Sequence, residues 1–184
     1  LTTLRVPVRQ GSRAVTLDGT SRDAGLRYRR DLGESSALGA LVTGREGDGS
    51  SNVLAGVDGL WRFNDRDSVT FQYLASESEY PAELARQLDG ELDLPEGTLS
   101  DDALWLQYRH ESRNWNWRLL YRDLGPEFRA DLGFVPQVDT RLWLAGLQRV
   151  WWGEEDDWWN RFGVGGDVDR TEDHAGQLLE EEWE

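Results

Sequence analysis

From Val53 onward the odd positions Val53, Ala55, Val57, Trp61 and Phe63 are apolar, with Gly59 among them, and Asn52, Asp58 and Arg62 fall on the other phase. Alternation with a period of two is the pattern of a strand whose faces meet different surroundings. The next segment repeats it, with Val69, Phe71, Tyr73 and Ala75 against Ser68, Thr70, Gln72 and Ser76. Only "NDRD", Asn64 to Asp67, lies between the two, which predicts an antiparallel hairpin. Further along, Leu104, Leu106 and Tyr108 oppose Gln107 and Arg109, and Trp115, Trp117, Leu119 and Tyr121 oppose Asn116, Arg118 and Arg122.

"DAGLRYRRD" and "SALGALVTG" add strands before these, and "TRLWLAGLQRVWW", "WWNRFGVGGDVDR" and "QLLEEEWE" add strands after them. "TRLWLAGLQRVWW" is apolar on both phases, so its facing is ambiguous. The pattern predicts an all-β chain: an antiparallel up-and-down meander of about nine strands over 23–184. Residues 1–22 are expected to be an amino-terminal loop or partial strand, and the whole to be one domain.

The predicted connections carry a second rhythm. Short ones near 32–36, 64–67, 112–114 and 153–157 alternate with longer ones at 45–51, 78–102, 123–139 and 169–175. In such a meander every short turn lies at one end of the sheet, as in a transmembrane β-barrel. Strands of about nine to eleven residues also suit a bilayer core. The expected architecture is therefore part of a transmembrane barrel wall.

Composition sharpens this. The chain has ten Trp and no Met, and most of the Trp fall beside the short turns: Trp61, Trp115, Trp117, Trp151, Trp152, Trp158 and Trp159. An indole ring sets its apolar body against acyl chains and its N–H toward headgroups, so this clustering predicts an aromatic girdle. A formal net charge of −15 opposes phosphate backbones and argues against nucleic acid as a partner. The absence of Cys excludes a disulfide framework, a thiolate metal site and a cysteine nucleophile. The longest apolar runs fall far short of a spanning helix, and the amino end has neither Met nor a signal pattern, as in a piece of a longer chain.

"GLRYRRDLGESSALGALVTGRE", "NVLAGVDGLWRF" and above all "YRDLGPEFRADLGFVPQVDTR" resemble the carboxy-terminal region of domain-of-unknown-function family 5916 of Gram-negative bacteria. The resemblance runs from about Gly25 to about Trp152. It implies an outer-membrane β-barrel, in a family whose members are longer and often carry a carbohydrate-binding-like sandwich upstream. It transfers no catalytic residues.

The remaining motifs offer little chemistry. The acidic stretch 78–102 has carboxylates at irregular spacing, which suits a solvated outer loop better than a calcium site, and "AELARQLDGEL" within it has the pattern of a short amphipathic helix. Glu154, Glu155, Asp156 and Asp157 sit in a turn where no pocket is expected. "GREGDGSS" lacks the Lys and following helix of a phosphate loop. His110 and His174 have no sequence partner and are expected to be surface or lumen side chains. Arg62, Arg109, Arg118, Arg122 and Arg161, with Asp58 and Asp167, take the phase opposite the apolar residues, which in a barrel is the lumen. That face is either a pore or substrate-binding surface, or an ion-pair network that fills the interior. The "GPEFRADLGFV" segment, Gly125 to Val135, is expected to be a packed extracellular loop tucked over the rim by Phe128, Leu132 and Phe134, with Arg129 and Asp131 paired.

These features predict no enzyme, no cofactor, no metal and no catalytic residue. They predict a bacterial outer-membrane β-barrel fragment serving as a channel or surface platform in glycan or nutrient uptake, with membrane lipid on its outward face and oligosaccharide as its ligand. The alternative is a soluble β-sandwich carbohydrate-binding module.

Overall fold

The computed structural model describes residues 2–8, 11–17, 20–47, 49–81 and 97–184. The eleven strands are β1 (Thr2–Val8), β2 (Gly11–Leu17), β3 (Ser21–Leu32), β4 (Ser36–Gly47), β5 (Ser50–Arg62), β6 (Asp67–Glu79), β7 (Thr98–Glu111), β8 (Trp115–Leu124), β9 (Thr140–Trp152), β10 (Arg161–Glu172) and β11 (Leu178–Trp183). Strands β3 to β11 form one nine-stranded antiparallel sheet in strict sequence order, as the alternation predicts. The predicted helix pattern in 83–93 lies outside the described residues.

Four features depart from expectation. Within 1–22, β1 and β2 pair as a separate hairpin, where short length and Pro7 weaken the strand signal. The expected long connection at 45–51 is only 48–49, because β4 and β5 extend through it and turn at Gly49, whose φ of 76° suits glycine. The connection at 153–157 grows to 153–160, so Trp158 and Trp159 lie in it and not in β10. Short and long connections therefore do not alternate strictly. Last, the described strands make one sheet and a hairpin, where a β-sandwich needs two sheets face to face.

Register assigns every residue to a face. Leu38, Gly59, Phe71, Leu106, Tyr121 and Trp143 stand directly across from one another on successive strands, so they share one face. That face is apolar and open: Val57 is 48%, Trp143 53% and Val164 55% exposed. Strand β9 resolves its ambiguity here, sending Trp143, Ala145 and Leu147 to this outer face. The opposite, inner face carries Arg27, Leu41, Leu54, Asp58, Gln72, Leu74, Trp105 and Arg122. The sheet does not close on itself: β3 and β11 are its two edges.

The core of the sheet lies on the inner face. Leu54 of β5 and Ala103 of β7 pack with Phe128, from the connection 125–139, and Leu41, Leu74, Leu124, Ala130 and Val135 surround them. Truncating Phe128, which is 1% exposed, removes the centre of this cluster. Phe128→Ala is expected to cost roughly 3–5 kcal/mol in urea unfolding. Phe134→Ala, at a site 67% exposed, should stay within about 0.5 kcal/mol of the parent chain.

Candidate functional site

The connection 125–139 does not stand above the rim. It folds back across the inner face, crossing β7, β6 and β5 in turn. Asp101 on β7 accepts from the Glu127 N–H at 2.9 Å, Ser76 on β6 accepts from the Arg129 N–H at 3.0 Å, and Asn52 on β5 accepts from the Asp131 N–H at 3.2 Å. Asn52, 1% exposed, donates in return to the Arg129 carbonyl at 3.2 Å and to Ser78 at 2.7 Å. Polar inner-face side chains thus satisfy the backbone of a segment that has no secondary structure of its own, which burial requires.

The expected role of Phe128 holds, but Leu132 and Phe134 are exposed. The expected Arg129–Asp131 pair is replaced by other partners. Arg129, 2% exposed, donates to the carbonyls of Pro126 and Phe128 at 3.0 and 2.8 Å, and Tyr80 donates to Asp131 at 2.6 Å. Burial pushes the Asp131 carboxyl above its ordinary range, against the lowering effects of Tyr80 and nearby Arg45 and Arg129. Burial likewise lowers the Arg129 guanidinium and raises the Tyr80 phenol.

The rest of the inner face is open. All five arginines of the predicted lumen set, with Asp58 and Asp167, project to this side. They are not one ion-pair network. Asp58 is taken by Arg27 in a two-armed pair from β3 to β5, over β4, and Gly39 makes this approach possible. A Cβ at Gly39 would lie 2.7 Å from Arg27 Nη2 and 2.9 Å from Asp58 Oδ1. Arg62, Arg118 and Arg122 have no side-chain partner among the described residues, and Arg122 Nε is buried without one.

A groove of about 600 Å³ is bordered by Arg27, Leu41, Asp58, Gln72 and Trp105. A second, of about 360 Å³, is bordered by Arg62, Thr70, Trp105, Gln107 and Arg109. Leu60, Thr70 and Trp105 border both, so the two form one trough along the inner face.

Tryptophan and arginine interleave at the end of the sheet holding the connections 33–35, 63–66, 112–114 and 153–160. Arg149 lies over the rings of Trp115 and Trp151 at 4.7 and 5.4 Å, and Arg113 and Arg161 flank Trp152 at 5.7 and 5.6 Å. Both histidines have partners that their sequence neighbours did not reveal. His110 stacks on Trp117 at 4.2 Å with Nδ1 2.7 Å from Asp67. At the other end, His174 stands between Asp139 and Asp123, at 3.0 and 2.8 Å. The carboxylate contacts join residues 35 to 51 positions apart, so no local motif announces them. Among the described residues no three His, Cys, Asp or Glu stand together as a metal site. Glu154, Glu155, Asp156 and Asp157 lie exposed in the connection 153–160.

Because folding raises the Asp131 pKa, the folded chain binds that proton more tightly than the unfolded chain. The resulting stabilisation is full below the unfolded value, about pH 4, and is lost as pH rises through the higher folded value. Asp131→Asn keeps an acceptor for Tyr80 and removes the buried charge. Urea unfolding at a series of pH values should show the parent chain losing stability relative to D131N as pH rises from about 4 toward neutrality.

Comparison with protein families, with curated proteins and with solved structures gave no match for this chain.

Proposed function

We propose that this chain forms part of the wall of an outer-membrane β-barrel, acting as a channel or surface platform for uptake of glycan or another nutrient. The observation that carries this reading is the division between the two faces. The outer face is apolar across the sheet and is bordered at one end by Trp and Arg, while the inner face carries a trough into which Arg27, Asp58, Gln72, Arg62 and Arg109 bring polar and charged groups. A protein surrounded by water gains nothing by exposing Leu26, Val57, Leu119, Trp143 and Val164 together. A protein surrounded by acyl chains requires it.

The dimensions agree. On β6 the outer positions Val69, Phe71, Tyr73 and Ala75 lie between Asp67 and Glu77. At about 3.4 Å per residue and a tilt near 45°, that interval spans roughly 25 Å along the membrane normal, the height of a barrel's apolar band. The free edges at β3 and β11 fit a wall segment, because lipid tolerates no unpaired strand edge. Further strands, from the same polypeptide or from a second copy, would complete the ring.

The test is reconstitution into lipid vesicles. The chain should resist extraction by alkaline carbonate, and lipids brominated near the headgroup should quench its tryptophan fluorescence strongly, with Trp117→Phe and Trp151→Phe each reducing the quenching. A chain that remains monomeric in detergent-free buffer and shows no quenching would sink the proposal.

A further inference from the structure

Resting on the barrel reading, we infer that the trough on the inner face binds an acidic saccharide, with arginines holding its oxyanion and Trp105 stacking on its ring. Four residues stand at consecutive positions of one row: Arg62 faces Ser68, Ser68 faces Arg109 and Arg109 faces Arg118. The row presents guanidinium, hydroxyl, guanidinium and guanidinium side by side. Like charges directly opposite one another on neighbouring strands repel. A bound anion removes that repulsion.

Among the nearby acids, Asp65 borders the same groove but makes no ion pair among the described residues. Asp58 is held by Arg27, and Asp67 belongs to the outer face, where Tyr108 and His110 bond it at 2.6 and 2.7 Å. Glu111 approaches Arg109 at 3.5 Å and leaves Arg62 and Arg118 without a partner among the described residues. On the same row, Gly146 separates Arg118 from Asp167, so the acids of β10 and β11 begin two strands away. Arginine forks match carboxylate, sulfate and phosphate oxygens in pairs, which lysines would not do.

Trp105 supplies the second half of the site. Of the ten tryptophans it is the one at mid-strand on the inner face, it is partly exposed, and its indole N–H has no partner among the described residues. Thr70 and Gln107 stand beside it on the row next to the arginines, with side chains suited to sugar hydroxyls. The groove they border, about 360 Å³, lies within the ~300–1,000 Å³ usual for small-molecule clefts. An aromatic platform beside an oxyanion cradle fits a pyranose that carries a carboxylate or a sulfate ester. A bare inorganic anion would use only the arginines, and a neutral sugar only Trp105 and its polar neighbours.

Titration calorimetry on the full chain in lipid nanodiscs, with trigalacturonate, a sulfated disaccharide, maltotriose and inorganic sulfate as probes, tests this. One or both acidic saccharides should bind at least tenfold more tightly than maltotriose and than inorganic sulfate, and the tighter of the two names the oxyanion. Affinity should fall as salt is raised. Arg109→Gln with Arg118→Gln should weaken acidic-saccharide binding at least tenfold and leave maltotriose unchanged, and Trp105→Ala should weaken saccharide binding and leave sulfate unchanged. Unchanged circular dichroism and urea midpoints would confirm that these variants fold.

Equal affinity for maltotriose and the acidic saccharides, or indifference to the arginine substitutions, would overturn the site. Inorganic sulfate bound as tightly as the acidic saccharides, or saccharide binding unaffected by Trp105→Ala, would overturn its saccharide half. Failure of this site leaves vesicle insertion and tryptophan quenching intact, whereas failure of the barrel reading removes those signals whatever the calorimetry shows.

Discussion

A slip of one residue anywhere in the ladder from β3 to β11 would turn a strand over and exchange its inner-face and outer-face side chains. Register is therefore the constraint on which everything else depends. It is held by side chains on both faces: Phe71 of β6 lies over Gly59 of β5 on the outside, and the Arg27–Asp58 pair spans Gly39 on the inside. In both places a larger residue on the middle strand would meet another side chain. The absence of a side chain is thus as specific a register signal as its presence.

The segment after β8 depends on that register. Its backbone finds partners at Asp101, Ser76 and Asn52, three inner-face positions on three successive strands, and its Phe128 fills the space above Leu54 and Ala103. Displacing one strand by one position would withdraw a partner and leave a buried N–H unsatisfied. The inner face consequently has two regions: one covered by the chain's own loop through hydrogen bonds and a small apolar cluster, the other an open trough bordered by Arg62, which has no side-chain partner among the described residues, and by Arg27 and Arg109, which pair with Asp58 and Glu111. A chain with a net charge of −15 that nevertheless gathers on one face Arg62, Arg118 and Arg122, without side-chain partners among the described residues, has a strongly uneven charge distribution.

Much of this was legible in the sequence because alternation is local. The pattern predicted the sheet, its antiparallel order, the inward phase of Arg62, Arg109, Arg118 and Arg122 and the gathering of Trp at one end, since each follows from counting by twos along a strand. It failed where the physics was not alternation. Gly49 compressed an expected loop into a tight turn, Pro7 masked a hairpin, and β9, apolar on both phases, carried no facing information until its neighbours supplied it.

Composition and spacing by themselves determined the class of fold and the two-faced character of its strands, because side-chain direction in a strand is fixed by parity. Only the tertiary structure decided what each face does with its residues. Asn52, a polar residue on the strand read first, became the buried hinge of a loop lying 77 residues away along the chain. His174 found its carboxylates 35 and 51 residues away. Arg62, Ser68, Arg109 and Arg118 became one row only when four strands came into register. These are contacts between distant parts of the chain, whose existence depends on pairing geometry that no single stretch of sequence contains.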